Sequence, residues 1–388
     1  MDSMLNDLDR VTAWLDSATK KEVADMIRRL FEYASPEELA ALSRLAREQV
    51  EQYYGRAVYF RGLIEFSSYC RNDCFYCGLR KNNPHATRYR LSKQEIVACC
   101  AEGRALGFRT FVLQSGEDEH FDDDRLCGVV STIATRFPDC AVTLSVGERS
   151  RSSYLRLFEA GAARYLLRHE TADESHYARL HPPELSLRNR KKCLIDLKEI
   201  GFQVGAGFMV DAPHQTYDSL AEDFVFLRDL QPHMVGIGPF VPHKDTRFAG
   251  YSPPSSRHTL ILLSLLRIML PKVLLPATTA LATIDPDGRE RGILAGANVV
   301  MINLSPKARR KEYSLYDGKI CVDEEAAESL ALLSHRLLAT GHVLDFSRGD
   351  HADSRKDDGE YEAGNKTVSR IGAGKSTSQG TVQGKENS

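Results

Sequence analysis

One feature constrains the fold of this chain more than any other: an alternation that repeats eight times. Apolar, β-rich runs occur at 59–68 (YFRGLIEFSS), 108–116 (FRTFVLQSG), 141–147 (AVTLSVG) and 164–170 (RYLLRHE). They continue at 202–210 (FQVGAGFMV), 234–240 (MVGIGPF), 273–280 (VLLPATTA) and 298–304 (NVVMINL). Segments of helical period lie between them, such as 92–107 and 185–201. Several end in glycine just before the next run, as at Gly107, Gly161 and Gly201, which suits a helix C-terminus. Strand–helix alternation predicts a parallel sheet, and eight repeats predict closure into a (β/α)8 TIM barrel. The alternative is an open doubly wound sheet, which usually has fewer strands.

Three parts are expected. Residues 1–55 form an N-terminal helical extension, in which Ser35-Pro36-Glu37-Glu38 offers a cap, a proline in the first turn and early carboxylates. Residues 56–346 form the barrel. Residues 347–388, rich in Gly, Ser, Lys and Asp with almost no large apolar side chains, are expected to be a disordered tail, because so little burial cannot offset ordering entropy. GAGKST within it lacks the strand and spacing of a phosphate-binding loop. The formal charge of −2 gives no reason to expect nucleic acid as a partner. The most apolar stretch, 260–270, is broken by Arg267 and is too short to span a membrane. The N-terminus lacks the pattern of a secretory signal. A cytoplasmic location is expected, with an organellar one left open, and disulfides are not expected in such a compartment.

In a barrel of this type chemistry gathers at the C-terminal ends of the strands, and here those ends are polar. Ser67, Ser68 and Cys70 follow the first run, and Gln114-Ser115-Gly116-Glu117-Asp118 closes the second. Thr143, Ser145 and Glu148 lie on the third, Arg168-His169-Glu170 on the fourth, Thr278 and Thr279 on the seventh, and Met301, Asn303 and Ser305 on the eighth. Singly each reads as a loop residue or a cap. Together they describe a polar mouth suited to a buried ligand. Three of the nine cysteines, Cys70, Cys74 and Cys77 in YCRNDCFYCG, enter the loop at that mouth. Thiolates at such spacing bind soft metals. Structural zinc would want a fourth protein ligand, and no second pair follows. Three thiolates can instead hold three irons of a 4Fe–4S cube with one iron open. The residues alone leave both open.

CxxxCxxC after the first strand of a parallel barrel, with Tyr76 before the third cysteine, resembles the radical S-adenosylmethionine (SAM) superfamily and its biotin synthase-like subgroup. The stretches EFSSYCRNDCFYCGLR, RYRLS, VLQSGED, TLSVGE, YLLRHET, GAGFMV, VGIGPFVPH, PATTA, GANVVMINLSP and YSLYDGKICV, in order between residues 60 and 322, resemble the HydE family of FeFe hydrogenase maturases. The resemblance implies Cys70, Cys74 and Cys77 as ligands of a 4Fe–4S cluster whose fourth iron takes SAM. It implies Gln114, Ser115, Gly116, Glu117, Thr143, Ser145, Arg168, Glu170 and Arg190 as SAM contacts or their supports. Thr278, Thr279, Met301, Tyr313 and Tyr316 would line the substrate cavity. No side chain is assigned as the catalytic group, since the SAM-derived radical would perform the chemistry. Implied partners are HydG-like and HydF-like maturases and a one-electron donor such as ferredoxin or flavodoxin.

Some members of that family carry a second cluster site near the C-terminus. Here only Cys321 is present, with Ser329 and Leu332 at the other two positions, so no second cluster is expected. Rival readings are a biotin synthase-like or methylornithine synthase-like enzyme acting on a small organic substrate, and a non-enzymatic metal or iron–sulfur scaffold. Biotin synthase needs inner-strand cysteines that 141–147 and 164–170 lack.

Overall fold

The computed structural model describes residues 7–320, 322–323 and 325–354. The extension is three helices: α1 (Leu8–Ser17), α2 (Lys20–Tyr33) and α3 (Pro36–Tyr54). α3 begins as expected, with Pro36 in its first turn. The Ser35 hydroxyl accepts from the Glu38 amide while the Glu38 side chain reaches back to Ser35, and this reciprocal pair satisfies two helix-end amides. The strands follow: β1 (Ala57–Ser67), β2 (Thr110–Ser115), β3 (Ala141–Ser145), β4 (Ala162–Leu166), β5 (Gln203–Ala206), β6 (Met209–Val210), β7 (Met234–Val235), β8 (Gly238–Pro239), β9 (Val299–Asn303) and β10 (Val343–Asp345).

All the ladders are parallel. β1 to β5 pair in sequence and β5 pairs β7. Isolated bridges from Met234 to Leu274 and from Pro276 to Val299 carry the wall on to β9, which pairs β1. The wall therefore returns to its first strand. The seventh run does not form a full strand. Pro276 has no amide hydrogen to give a ladder, and from Thr279 the chain is already helical (Thr279–Ile284). The fifth and sixth runs each break in two. Gly207, at φ 151°, lies so close to Gly236 O that a Cβ there would collide with it.

The strands alternate as a barrel requires. Phe60, Ile64, Phe66, Phe111, Leu113, Val142, Leu144, Tyr165, Val204, Ala206, Val300 and Ile302 enter one apolar core with the surrounding helices. The intervening positions carry Arg61, Glu65, Thr110, Gln114, Thr143, Arg164, Gln203 and Asn303, linked across strands by register (Glu65 to Gln114, Thr143 to Arg164). The lumen is thus polar within an apolar shell.

The expected boundary of a disordered tail at 347 is too early. β10 pairs with the start of β1, and residues 346–353 close the base of the barrel. Phe346 stacks on Phe60 at 4.9 Å. Arg164 NH2 donates to Arg348 O at 2.5 Å and to Asp350 Oδ1 at 2.6 Å, and Gln203 donates to Asp350 at 2.8 Å. Composition misleads here because the charged segment is ordered by pairing with lumenal arginines, not by its own apolar burial. The remainder of the expected tail, 355–388, lies outside the described residues.

Candidate functional site

Past Ser67 the chain leaves β1 into the cysteine loop, which is tied down along its length. The Ser67 hydroxyl donates to Asp118 at 2.6 Å, and Asp118 takes two hydrogen bonds from Arg90 at 2.7 and 2.9 Å. Burial alone would raise the Asp118 carboxyl, but Arg90 and Ser67 hold it below its usual range. The amides of Arg71, Phe75 and Gly78 donate to Glu117 O, Leu180 O and Leu315 O. Gly116 is needed beside this loop: a Cβ there would collide with Tyr69 O and lie 2.7 Å from Cys70 Cβ.

The loop brings Cys70, Cys74 and Cys77 together. Burial pushes all three thiols up; Cys70 and Cys77 raise Cys74 further, and Cys70 raises Cys77, which reaches about 12. A bound metal would favour the thiolate form at these positions. Among the described residues no group of three or more His, Cys, Asp or Glu is already arranged to hold a metal ion. Three cysteine sulfurs on one loop are the donor chemistry of a 4Fe–4S cluster, in which each thiolate would take its own iron.

A network of carboxylates and arginines adjoins the loop. Glu117 takes Arg71 Nε at 3.1 Å and the Glu148 amide at 2.9 Å. Glu148 pairs with Arg190 Nε at 2.5 Å and accepts from Asn189 at 2.6 Å. Arg190 NH1 donates to Arg168 O at 3.2 Å. Burial alone would lower the Arg190 guanidinium, but Glu148, Tyr177 and Glu117 raise it, so it stays charged. Arg168 pairs with Glu170 at 3.1 Å, and Glu170 has φ 65°, a conformation that costs a non-glycine residue about 1–3 kcal/mol. Glu170 looks toward the cysteine loop: after burial, it is the largest influence raising the Tyr76 phenol. A cavity of about 610 Å³ opens beside this network, lined in part by Arg71, Glu117, Glu148 and Asn189. Two buried atoms here lack a hydrogen-bond partner, namely Thr143 Oγ1 and Arg168 Nε. Buried polar atoms left this way mark where a ligand belongs.

Deeper in the lumen, Gln114 donates to the Tyr313 hydroxyl at 3.4 Å. Lys319 reaches Glu65 at 2.5 Å and Tyr313 O at 3.1 Å, and Asn303 donates to Glu65 at 2.9 Å. A small cavity there is lined by Leu63, Thr279, Met301, Asn303 and Lys319. Thr278 caps the helix that follows it, accepting from the Leu281 amide, and sits 2.8 Å from where a Gly238 Cβ would be. Ser145 pairs in register with Gln114. Ser115 donates to Gly116 O, and Tyr316 is half-buried on the segment that carries Tyr313.

The expected residues thus divide between the mouth and the inner lumen. The sequence reading does not pick out Glu65, Lys319 or Asn189 as site residues, while Glu148 and Asn303 are among the polar strand ends it places at the mouth. A signal for Glu65 exists: it is a charge at an alternating position inside an apolar strand run, where an unpaired charge would not be tolerated. Nothing in the sequence indicates that Lys319, 254 residues away, is its partner.

Thiols converging at the mouth of a parallel barrel, beside unpartnered polar atoms, define a class. The Radical SAM superfamily model matches residues 64–227, and the chain is a radical SAM enzyme. It is 47% identical over 285 residues to the "[FeFe] hydrogenase maturase subunit HydE" of Thermotoga maritima, covering 74% of this chain and 81% of that one, and it belongs to the HydE family. It is also 29% identical to the 3-methylornithine synthase of Methanosarcina acetivorans, over 82% of this chain and 89% of that one. The crystal structure of methylornithine synthase superposes with a TM-score of 0.73 at 25% identity, over 86% of this chain and 97% of that one. The hydrogenase maturase HydG shares the fold at TM-score 0.69 and 18% identity, over 89% of this chain and 81% of that one.

Proposed function

We propose that this chain is a HydE-type maturase acting in assembly of the FeFe hydrogenase diiron cofactor. The single observation carrying this is the 47% identity to the Thermotoga maritima protein across most of both chains. Membership of the superfamily implies a 4Fe–4S cluster and SAM; bound there, the cluster would supply the one-electron reduction by which SAM is cleaved. Cys70, Cys74 and Cys77 would hold the cluster through three of its irons, with SAM on the fourth. Gly116 lets SAM and the cysteine loop approach the backbone. Gln114, Ser115, Glu117, Thr143, Ser145, Arg168, Glu170 and Arg190 surround the cofactor, with carboxylates suited to its amino and hydroxyl groups and guanidinium groups to its carboxylate. Thr278, Thr279, Met301, Tyr313 and Tyr316 line the substrate cavity below. The segment 346–353 keeps water out from the base, which a radical intermediate requires.

No second cluster is proposed. Cys321 lies outside the described residues, and Ser329 and Leu332 occupy helix Ala326–Ala339 without metal-binding side chains. HydG-like and HydF-like maturases are the proposed partners, with a ferredoxin- or flavodoxin-like donor. The proposed location is the cytoplasm; no helix of the described residues is long and apolar enough to cross a membrane.

A second reading, a methylornithine synthase-like enzyme on a small organic substrate, is favoured by the fold match and the 29% identity. Maturation of apo-hydrogenase with this protein as the sole HydE source separates the two. Active hydrogenase is expected. Formation of 5′-deoxyadenosine without maturation would favour the second reading, and absence of 5′-deoxyadenosine from reduced, reconstituted protein would sink both.

A further inference from the structure

We propose that His169 and Asp223 are positioning residues: through one carboxylate oxygen they hold the turn that aims Arg168 and Glu170 at the cofactor site. The inference rests on the cofactor role given to Arg168 and Glu170 above.

His169 lies between those two residues and is fully buried. Its Nδ1 accepts from the Gly207 N–H at 3.3 Å. An accepting Nδ1 requires a neutral ring with its proton on Nε2, and Nε2 faces Asp223 Oδ1 at 3.1 Å. Burial, then Lys191 and Arg168, push the imidazole well below its ordinary value, in keeping with that tautomer. Asp223, on helix Tyr217–Leu230, is also fully buried. Its same Oδ1 accepts from the Ala172 N–H at 2.5 Å. Glu170 and Thr171 are therefore bracketed between two anchors on a single oxygen.

The backbone inside that bracket is the strained one. Glu170 sits at φ 65°. Gly207 O accepts from the amides of both His169 and Glu170, at 2.9 and 3.0 Å, and the Met209 amide donates to Glu170 O at 3.1 Å. Such a conformation persists only where its surroundings over-determine it. The pair supplies side-chain restraints on both flanks, and Phe226 packs on the imidazole at 4.9 Å. Released from them, Glu170 would relax and its carboxylate would leave the position it shares with Arg168.

The test uses anaerobically reconstituted full-length protein titrated with SAM. The EPR signal of the reduced cluster reads binding, and 5′-deoxyadenosine formation reads KM and kcat. His169→Leu is expected to raise the SAM midpoint and KM about tenfold, with iron content and the SAM-free EPR signal unchanged. Asp223→Asn keeps an acceptor oxygen and is expected to stay within about threefold; a loss equal to that of His169→Leu overturns the shared oxygen as the cause. A His169→Leu protein that binds SAM like the wild type overturns the proposal. If His169→Leu does not fold, His169→Asn keeps an acceptor for Gly207 but cannot reach Asp223, and a wild-type midpoint there overturns it equally. Glu170→Gln separates the two levels. Unchanged SAM binding in it removes the cofactor role of Glu170 and this inference together. Weakened binding in it beside wild-type binding in His169→Leu overturns the inference alone.

Discussion

The two ends of the barrel are built from the same residue types and resolve them differently. At the base, Arg164 is completely buried, yet its guanidinium is matched by Asp350, the Thr110 hydroxyl, Gln203 and Arg348 O. Asp350 is in turn drawn down: burial would raise it, but Arg164, Gln203 and Arg348 bring it to about 2. Arg61, with an unpartnered Nε, is the exception there. At the mouth, arginines and carboxylates also pair, but Arg168 Nε and Thr143 Oγ1 are left over beside three thiols that burial pushes up. The difference teaches where the ligand goes. A buried network completed by the chain itself is a closure. One that leaves polar atoms over is a binding site.

The sharpest way to break this comparison is Cys74→Ala. It is expected to abolish the cluster absorbance and 5′-deoxyadenosine formation while moving the thermal midpoint little; retention of the cluster would remove the mouth from the chemistry. Gly116→Ala pushes a methyl group into Tyr69 O and Cys70, and cluster loading on reconstitution is expected to fall strongly with the fold intact by circular dichroism.

Asp350→Ala should do the reverse. It leaves Arg164 buried without its carboxylate, an expected loss of about 3–5 kcal/mol in denaturant unfolding, with SAM cleavage per folded molecule retained. An unchanged unfolding midpoint would show that the base is not held by this pair. The same pair gives an acid dependence. Asp350 titrates lower folded than unfolded, so its contribution is fully present above pH about 4 and is lost as pH falls through about 2, a change of about 2 kcal/mol. Asp350→Asn should flatten stability in that window. The smallest effect is expected from Ser329→Ala, which should leave iron content and the EPR signal as they are; a drop in iron would reopen a second metal site.

Much of this architecture is legible in the sequence because it depends on local pattern. Eight apolar runs become eight segments of the wall, since the period of the side chains and the glycine-terminated helices are local properties. The cysteine loop is equally legible, because cluster ligation needs three thiols at close spacing. The seventh run was over-read as a strand because Pro276 interrupts the ladder. The tail boundary was misplaced because the partners of residues 348–350 lie on β2, β4 and β5.

The sequence by itself determined the periodicity, the parallel barrel and the thiol triad, all of which follow from residue type and spacing over a few tens of positions. Only the tertiary structure decided that Lys319 neutralises Glu65, that Asp223 steadies the turn at Glu170, and that a polar C-terminal segment seals the base. Those are charges meeting across long stretches of chain inside a low-dielectric lumen. Such pairing is strong once made, but it is set by which strands the closed barrel brings together.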